Sequence, residues 1–244
     1  MSGLGEKVPL TTRYSLIIPF FNEEESAPEV IREARAFLQN LPTHEMILIN
    51  DGSTDRTGQL LAAEAADDPR VKILNFPKNL GQAEALRHGL LAAQGEILLT
   101  MDGDGQNDPK DFSRLLPAVE GGQQDLICGW RFPRNDSWIR RTMSWLANQI
   151  RSRFLGDHLH DSGCQLRVMR KGVLDSIFPF ELMQSFLPAM VLAGGFRVSE
   201  VQVNHRPRLR GEAKYNLRKL WWRPAMAMLR IAPRLRERRR KVSL

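Results

Sequence analysis

Apolar positions along this chain fall into two alternating patterns. Short continuous runs of Leu, Ile, Val and Phe are separated by longer stretches in which apolar residues recur every three or four positions. Tyr14–Phe20 (YSLIIPF), Glu45–Asp51 (EMILIND), Val71–Phe76 (VKILNF), Glu96–Asp102 (EILLTMD) and Asp125–Trp130 (DLICGW) read as strands. Val30, Ala34, Phe37 and Leu38 mark one face of a helix over Glu23–Gln39. Ser53 or Thr54 is placed to cap a second helix that ends near Ala66. Gly81–Ala93 reads as a third helix, and Pro109 suits the first turn of a fourth. In the second half, Ile139, Met143, Leu146, Ile150 and Phe154 predict a helix over Trp138–Leu155, and Arg197–His205 alternates like a strand.

This βαβα alternation predicts an α/β fold with a doubly wound, mostly parallel sheet. Strands without polar interruptions predict a sheet covered on both faces. Ligands of such sheets bind beyond the carboxyl ends of the strands, and that is where this chain concentrates its polar residues.

Length and charge sharpen the picture. The 244 residues suffice for one large domain with a buried core. The net charge is +7, yet Arg206–Leu244 alone carries 14 Lys/Arg against 2 Asp/Glu, so the remainder is acidic. A basic, partly apolar C-terminal stretch suits an anionic membrane surface better than nucleic acid, for which no reading motif is present. No run reaches the ~18–20 apolar residues of a spanning helix. Leu217–Ile231 is interrupted by charges and Met183–Phe196 is too short. Peripheral attachment is the expectation, through Trp221, Trp222, Met226, Met228, Leu229 and Ile231 with the flanking cations. Cys128 and Cys164 are too few for a disulfide framework, and no N-terminal run reads as a signal peptide, so the expected compartment is cytoplasmic.

The sharpest chemical motif is Asp102-Gly103-Asp104-Gly105-Gln106, at the end of an apolar strand. Carboxylates two residues apart in a turn can share one hard cation, Mg²⁺ or Mn²⁺, whose remaining coordination sites suit a diphosphate. An acidic Asp-Gly turn with no ligand is the plain alternative. Pro19-Phe20-Phe21-Asn22-Glu23-Glu24 follows the first strand and Asn50-Asp51-Gly52-Ser53-Thr54-Asp55 the second. An Asp there can accept from a base N–H and a Glu from a ribose hydroxyl. Helix capping by Asn22 with Glu25, or by Ser53 or Thr54, is the alternative for each.

These elements, in this order, resemble family-2 glycosyltransferases, and within them the dolichol-phosphate mannose synthase-like branch that transfers sugars to polyprenyl phosphates. The likeness rests also on Asn79-Leu80-Gly81-Gln82, Gly129-Trp130-Arg131, Arg140-Arg141 with Ser144, Asp161-Ser162-Gly163-Cys164, and His205-Arg206-Pro207-Arg208 followed by Lys214-Tyr215. It implies a GT-A-like domain over residues 12–215 and a basic amphipathic extension over 216–244. It implies that Pro19, Phe21, Glu23, Asp51, Asp102 and Gly103 contact the donor nucleotide, with Lys214 reaching its phosphates. Asp102, Asp104 and Gln106 would hold the metal. Arg131, Arg140 and Ser144 would receive the acceptor phosphate, and Asp104, Arg131 and Arg208 would carry the chemistry.

The reaction implied is an inverting transfer from GDP-mannose or a UDP-sugar to a polyprenyl phosphate such as dolichyl or undecaprenyl phosphate. It would run at the cytoplasmic face of a membrane, with a membrane-anchored partner subunit as a further possibility. A phosphate acceptor is already ionised near neutrality, and the second half carries neither a Glu-Asp pair nor a Gln-x-x-Arg-Trp pattern. A saccharide or glycolipid hydroxyl is the alternative acceptor. A non-enzymatic basic nucleic-acid- or membrane-binding protein is the remote one. The late loop departs from the branch's Gly-x-Ser-Lys-Tyr, since Ala213 stands where a hydroxyl is usual.

Overall fold

The structure, a computed structural model, describes residues 12–66, 68–132, 149, 151–204, 206 and 222–242. The first half follows the pattern read from the sequence: β1 (Tyr14–Phe20), α1 (Ala27–Leu38), β2 (His44–Asn50), α2 (Thr57–Ala66), β3 (Val71–Asn75), α3 (Gln82–Ala92) and β4 (Ile97–Thr100). A 3₁₀ turn at Pro109–Asp111 leads into α4 (Phe112–Glu120), followed by β5 (Leu126–Arg131). A short helix at 151–155 (α5), β6 (Arg167–Arg170), α6 (Met183–Ala193), β7 (Val198–Val203) and α7 (Trp222–Val242) complete the described elements.

The strands form one seven-stranded sheet in the order β3-β2-β1-β4-β6-β5-β7. Every neighbouring pair is parallel except those made by β6, which runs antiparallel to both β4 and β5. Two reversals restore direction, so β5 and β7 point the same way as β1, β2, β3 and β4. The carboxyl ends of these six strands therefore open onto one edge of the sheet.

Alternate residues feed two cores. Leu16, Ile18, Leu48 and Leu99 pack under α1 and α4, and Ile17, Ile47, Ile49 and Leu98 pack under α3, α6 and α7. Two-faced burial is why the strands read as unbroken apolar runs.

Three local readings change. The helix expected from Glu23 begins at Ala27, because Pro28 occupies its first turn and Ser26 is engaged with the loop instead. Neither Ser53 nor Thr54 caps α2: Asp55 Oδ1 accepts from Thr57 N at 3.0 Å. Ile231, read as a membrane contact, is buried. With Ala227 and Leu235 it forms a stripe at four-residue spacing that packs α7 into the core beside α6. Trp221 and residues 133–148, with Arg140 and Ser144, lie outside the described residues.

Candidate active site

Six loops meet at the common sheet edge, those after β1, β2, β3, β4, β5 and β7. The first two lock together. Asn22, in the left-handed region at φ 52°, accepts from Thr54 N through Oδ1 at 2.8 Å, and Asn22 N donates to Ser53 Oγ at 3.0 Å. Glu23 N donates to Thr57 Oγ1 at 2.8 Å. Asn22 and Ser53 thus join two loops; they do not cap helices. Pro19, Phe21 and Glu23 are half-buried on this wall.

Asp51 was expected to meet a base. It is 3% exposed and organises the neighbouring loop: Oδ1 accepts from Leu80 N at 2.7 Å, and Oδ2 accepts from Gly81 N at 3.0 Å and Asn79 Nδ2 at 2.9 Å. Burial raises its pKa against the pull of those amides. Gly52 makes the approach possible, since a Cβ there would lie 2.2 Å from the Lys78 carbonyl carbon and φ is +67°.

The acidic turn sits beside this wall. Ser26 Oγ lies 2.9 Å from the Gly103 carbonyl, and a Cβ on Gly103 would lie 2.4 Å from the Phe20 ring. Gly103 therefore lets the turn press onto the end of β1. Asn107 Oδ1 closes the turn on Asp102 N at 3.1 Å, and Gln106 N donates to Asp104 Oδ1 at 3.1 Å. Gln106 thus meets Asp104 through its backbone.

Asp102 is pushed up to about 7, first by burial and then by the charge of Asp104, against the opposing pull of Arg131 and Arg167. Two carboxylates that resist joint ionisation are a fitting seat for a cation. Among the described residues no third His, Cys, Asp or Glu joins them. Two carboxylates with the balance supplied by phosphate oxygens and water is a donor set suited to Mg²⁺ or Mn²⁺.

Arg131 ends β5 on the same edge. Nε and Nη2 grip Asp161 at 2.6 and 2.9 Å in a bidentate pair. Burial alone would lower its pKa, but the Asp161 pair outweighs it and holds the guanidinium charged. Asp161 N donates to Glu200 Oε1 at 2.9 Å, which fixes the pair to β7. Arg131 is thus a braced cation in the field of Asp102. Arg167 is fully buried and donates to the Ser162 carbonyl at 3.1 Å. It was not foreseen from the sequence, because an Arg in a four-residue strand gives no apolar signal. Both thiols are buried and pushed up to about 12 by that burial, so neither serves as a nucleophile.

The chain leaving β7 is strapped to the acidic turn. Asn204 N donates to Asp111 Oδ2 at 2.8 Å, and Arg206 N donates to the Gln106 carbonyl at 3.1 Å. Arg208 and Lys214 lie outside the described residues.

Residues 15–178 match the sequence profile of Glycosyl transferase family 2. The chain belongs to glycosyl transferase family 2. Within the family it is similar to the dodecaprenyl-phosphate galacturonate synthase of Rhizobium johnstonii, with 36% identity over 210 residues. That alignment takes in 83% of this chain and 62% of the relative, so the chain spans less than two thirds of the relative's length. Among solved structures, the glucosyl-3-phosphoglycerate synthase of Mycobacterium tuberculosis, in complex with Mn²⁺, uridine diphosphate and its glucosylated product, matches with a TM-score of 0.69. Identity there is 20%, covering 91% of this chain and 80% of that one. TarS of S. aureus matches with a TM-score of 0.57 and 18% identity, over 78% of this chain and 58% of that one. At these identities the likeness is one of fold, and it establishes the family's GT-A-like architecture for this chain.

Proposed function

We propose that this family-2 chain transfers a sugar from a nucleotide-sugar donor to a polyprenyl phosphate, with inversion at the anomeric carbon and with one divalent cation. The observation that carries the reading is the convergence of the Asp102/Asp104 pair, the braced Arg131 and the root of the late basic loop on one sheet edge. The similarity to a dodecaprenyl-phosphate galacturonate synthase over most of this chain supports the acceptor class.

When bound, the cation would neutralise charge on the leaving diphosphate; Asp102 and Asp104 are the residues that would hold it. The walls made by Pro19–Glu23 and Asp51–Gly52 would bound the nucleoside. Arg131, with Arg140 and Ser144, would orient the acceptor phosphate, and Arg208 and Lys214 would meet the diphosphate. A phosphate monoester is largely ionised at neutral pH, so no carboxylate is needed as base. Positioning and electrostatic stabilisation then supply the rate enhancement.

No helix among the described residues is long and apolar enough to cross a membrane. Access to a lipid acceptor would come from the exposed side of α7, where Met226 and Leu229 stand among arginines. The reading is tested by a screen of GDP- and UDP-sugars with Mg²⁺ or Mn²⁺ and a short polyprenyl phosphate. A charged lipid product is expected. Transfer to soluble saccharides alone would overturn the acceptor assignment.

A further inference from the structure

Behind the acidic turn, a relay of side-chain amides runs from Asp102 into the protein. Gln82 turns its nitrogen toward Asp102, the orientation that a carboxylate holding a cation, which only accepts, also requires. The contact is Nε2 to Asp102 Oδ1 at 2.7 Å. Gln82 Oε1 is then left as an acceptor, and it meets Gln184 Nε2 at 3.4 Å. The orientation of Gln184 is thereby forced as well, and its Oε1 is the end of the relay. Gln184 is 8% exposed, and this oxygen is buried with no hydrogen-bond partner among the described residues.

A buried carbonyl oxygen without a donor destabilises a fold, and an apolar side chain of similar shape would remove the penalty. A chain that keeps the amide has a use for the acceptor. Its position indicates which. Gln82 opens α3 and Gln184 lies in the first turn of α6, and neither helix has a side-chain cap at its N-terminus. Two helix N-termini, both favourable to anionic oxygen, thus flank the side of Asp102 that faces into the protein. If Asp102 and Asp104 seat a diphosphate through a cation, the group bonded to that diphosphate is the sugar, a dense source of hydroxyl donors.

We propose that Gln184 is a specificity residue of the donor site, its Oε1 accepting a hydrogen bond from one hydroxyl of the transferred sugar. This rests on the glycosyltransferase reading and deepens it. Gln82 is the positioning residue of the pair: it fixes the polarity of the relay from Asp102.

The test is Gln184→Met, which keeps length and helical preference and removes the acceptor. Three measurements are made: donor kinetics, calorimetric affinity for UDP and GDP, and melting temperature. The expected result is a fall of about tenfold in kcat/KM for the donor, the scale of one neutral hydrogen bond. Nucleoside diphosphate affinity should stay unchanged and the melting temperature should not fall. A second arm uses the unaltered protein with donors lacking one hydroxyl at a time. One of these should lose about as much as the variant does, and the variant should be indifferent to that same deletion. Unchanged donor kinetics in the variant, a parallel loss of diphosphate affinity, or equal turnover of every deoxy donor would overturn the assignment and leave the enzyme reading standing. Failure of the unaltered protein to use any nucleotide sugar would overturn both.

Discussion

Arg206 pairs with Asp108 at 2.5 Å and, through its other terminal nitrogen, with Glu33 at 2.7 Å. This guanidinium joins three parts of the chain that are remote in sequence: α1, the acidic turn and the segment leaving β7. Burial would lower its pKa, but the two carboxylates overcome that and keep it charged. Arg206 thereby fixes the segment leaving β7 against the acidic turn and α1. Arg206→Met should lower kcat/KM for complete turnover by about tenfold through misplacement of Arg208 and Lys214. The pairs are partly exposed, so each contributes at most about 1 kcal/mol to stability. The melting temperature should accordingly drop by only a few degrees. Turnover at the unaltered rate would show that the loop is positioned by other contacts.

Asp104→Asn preserves the turn's shape while removing a charge that the cation needs. Activity should fall by about two orders of magnitude or more, roughly 3 kcal/mol of transition-state stabilisation. Gln106 N can still donate to the amide oxygen, so the fold should persist. Circular dichroism and a turnover assay on the same sample decide the matter, and near-normal turnover in a folded variant removes Asp104 from the metal site.

The raised pKa of Asp102 predicts a pH dependence of metal binding. The folded apo protein keeps a proton there up to about 7, while an unfolded Asp loses it near 4. Across that window the native state binds more protons than the unfolded one, so this group's contribution to stability falls as pH rises and levels off above about 7. A cation displaces the proton. The gain in melting temperature on adding Mn²⁺ should therefore be small near pH ~5.5 and largest near pH ~8. A gain that is flat with pH would place the cation elsewhere.

Much of this site was legible in the sequence because its parts sit where unbroken apolar runs end. YSLIIPF, EMILIND and EILLTMD marked three strand ends, and the acidic turn follows the third directly. The remainder lay in residues whose meaning depends on the sheet order. Arg167–Arg170 is a four-residue strand with Arg at both ends, giving no periodic signal, yet its reversal is what turns β5 and Arg131 toward the site. Met183–Ala193 is apolar on nearly every side, with Pro188 inside it. It reads by pattern as a failed membrane span, because a helix buried all round has no polar stripe to reveal its period. Asp161 announced itself only through the resemblance; its pairing with Arg131 could not be read from residues thirty positions apart.

Arg131 gives a prediction that separates acceptor from donor. Arg131→Ala would strand the buried Asp161 and destabilise the fold, which confuses the test. Arg131→Lys keeps the charge and loses the planar fork. It should reduce kcat/KM for a polyprenyl phosphate by about tenfold or more, with calorimetric affinity for the nucleoside diphosphate unchanged. Loss of nucleotide affinity with normal acceptor use would reassign this arginine to the donor.

Deleting the extension after Tyr215 is not a clean test of membrane attachment. The structure rules that design out: Ala227, Ile231 and Leu235 are core residues, and their removal would uncover α6. The solvent side of α7 offers a cleaner handle. Met226 and Leu229 are exposed there, and Arg234, Arg236 and Arg240 project from the same helix without ion pairs among the described residues. Arg236 lies over the ring of Phe154, itself exposed, which extends the apolar rim onto α5. Each cation near an anionic bilayer contributes up to about 1 kcal/mol, so replacing three by Glu removes about that much three times over and adds repulsion. The triple variant Arg234→Glu, Arg236→Glu, Arg240→Glu should lose co-sedimentation with vesicles containing anionic lipid. The unaltered protein should sediment at low salt and be released as salt screens the attraction. Turnover of a long-chain polyprenyl phosphate in vesicles should fall with binding, while turnover of a short, water-soluble polyprenyl phosphate stays intact. If the unaltered chain remains in the supernatant at low salt, α7 is not the membrane contact. A partner subunit would then have to bring this site to its lipid.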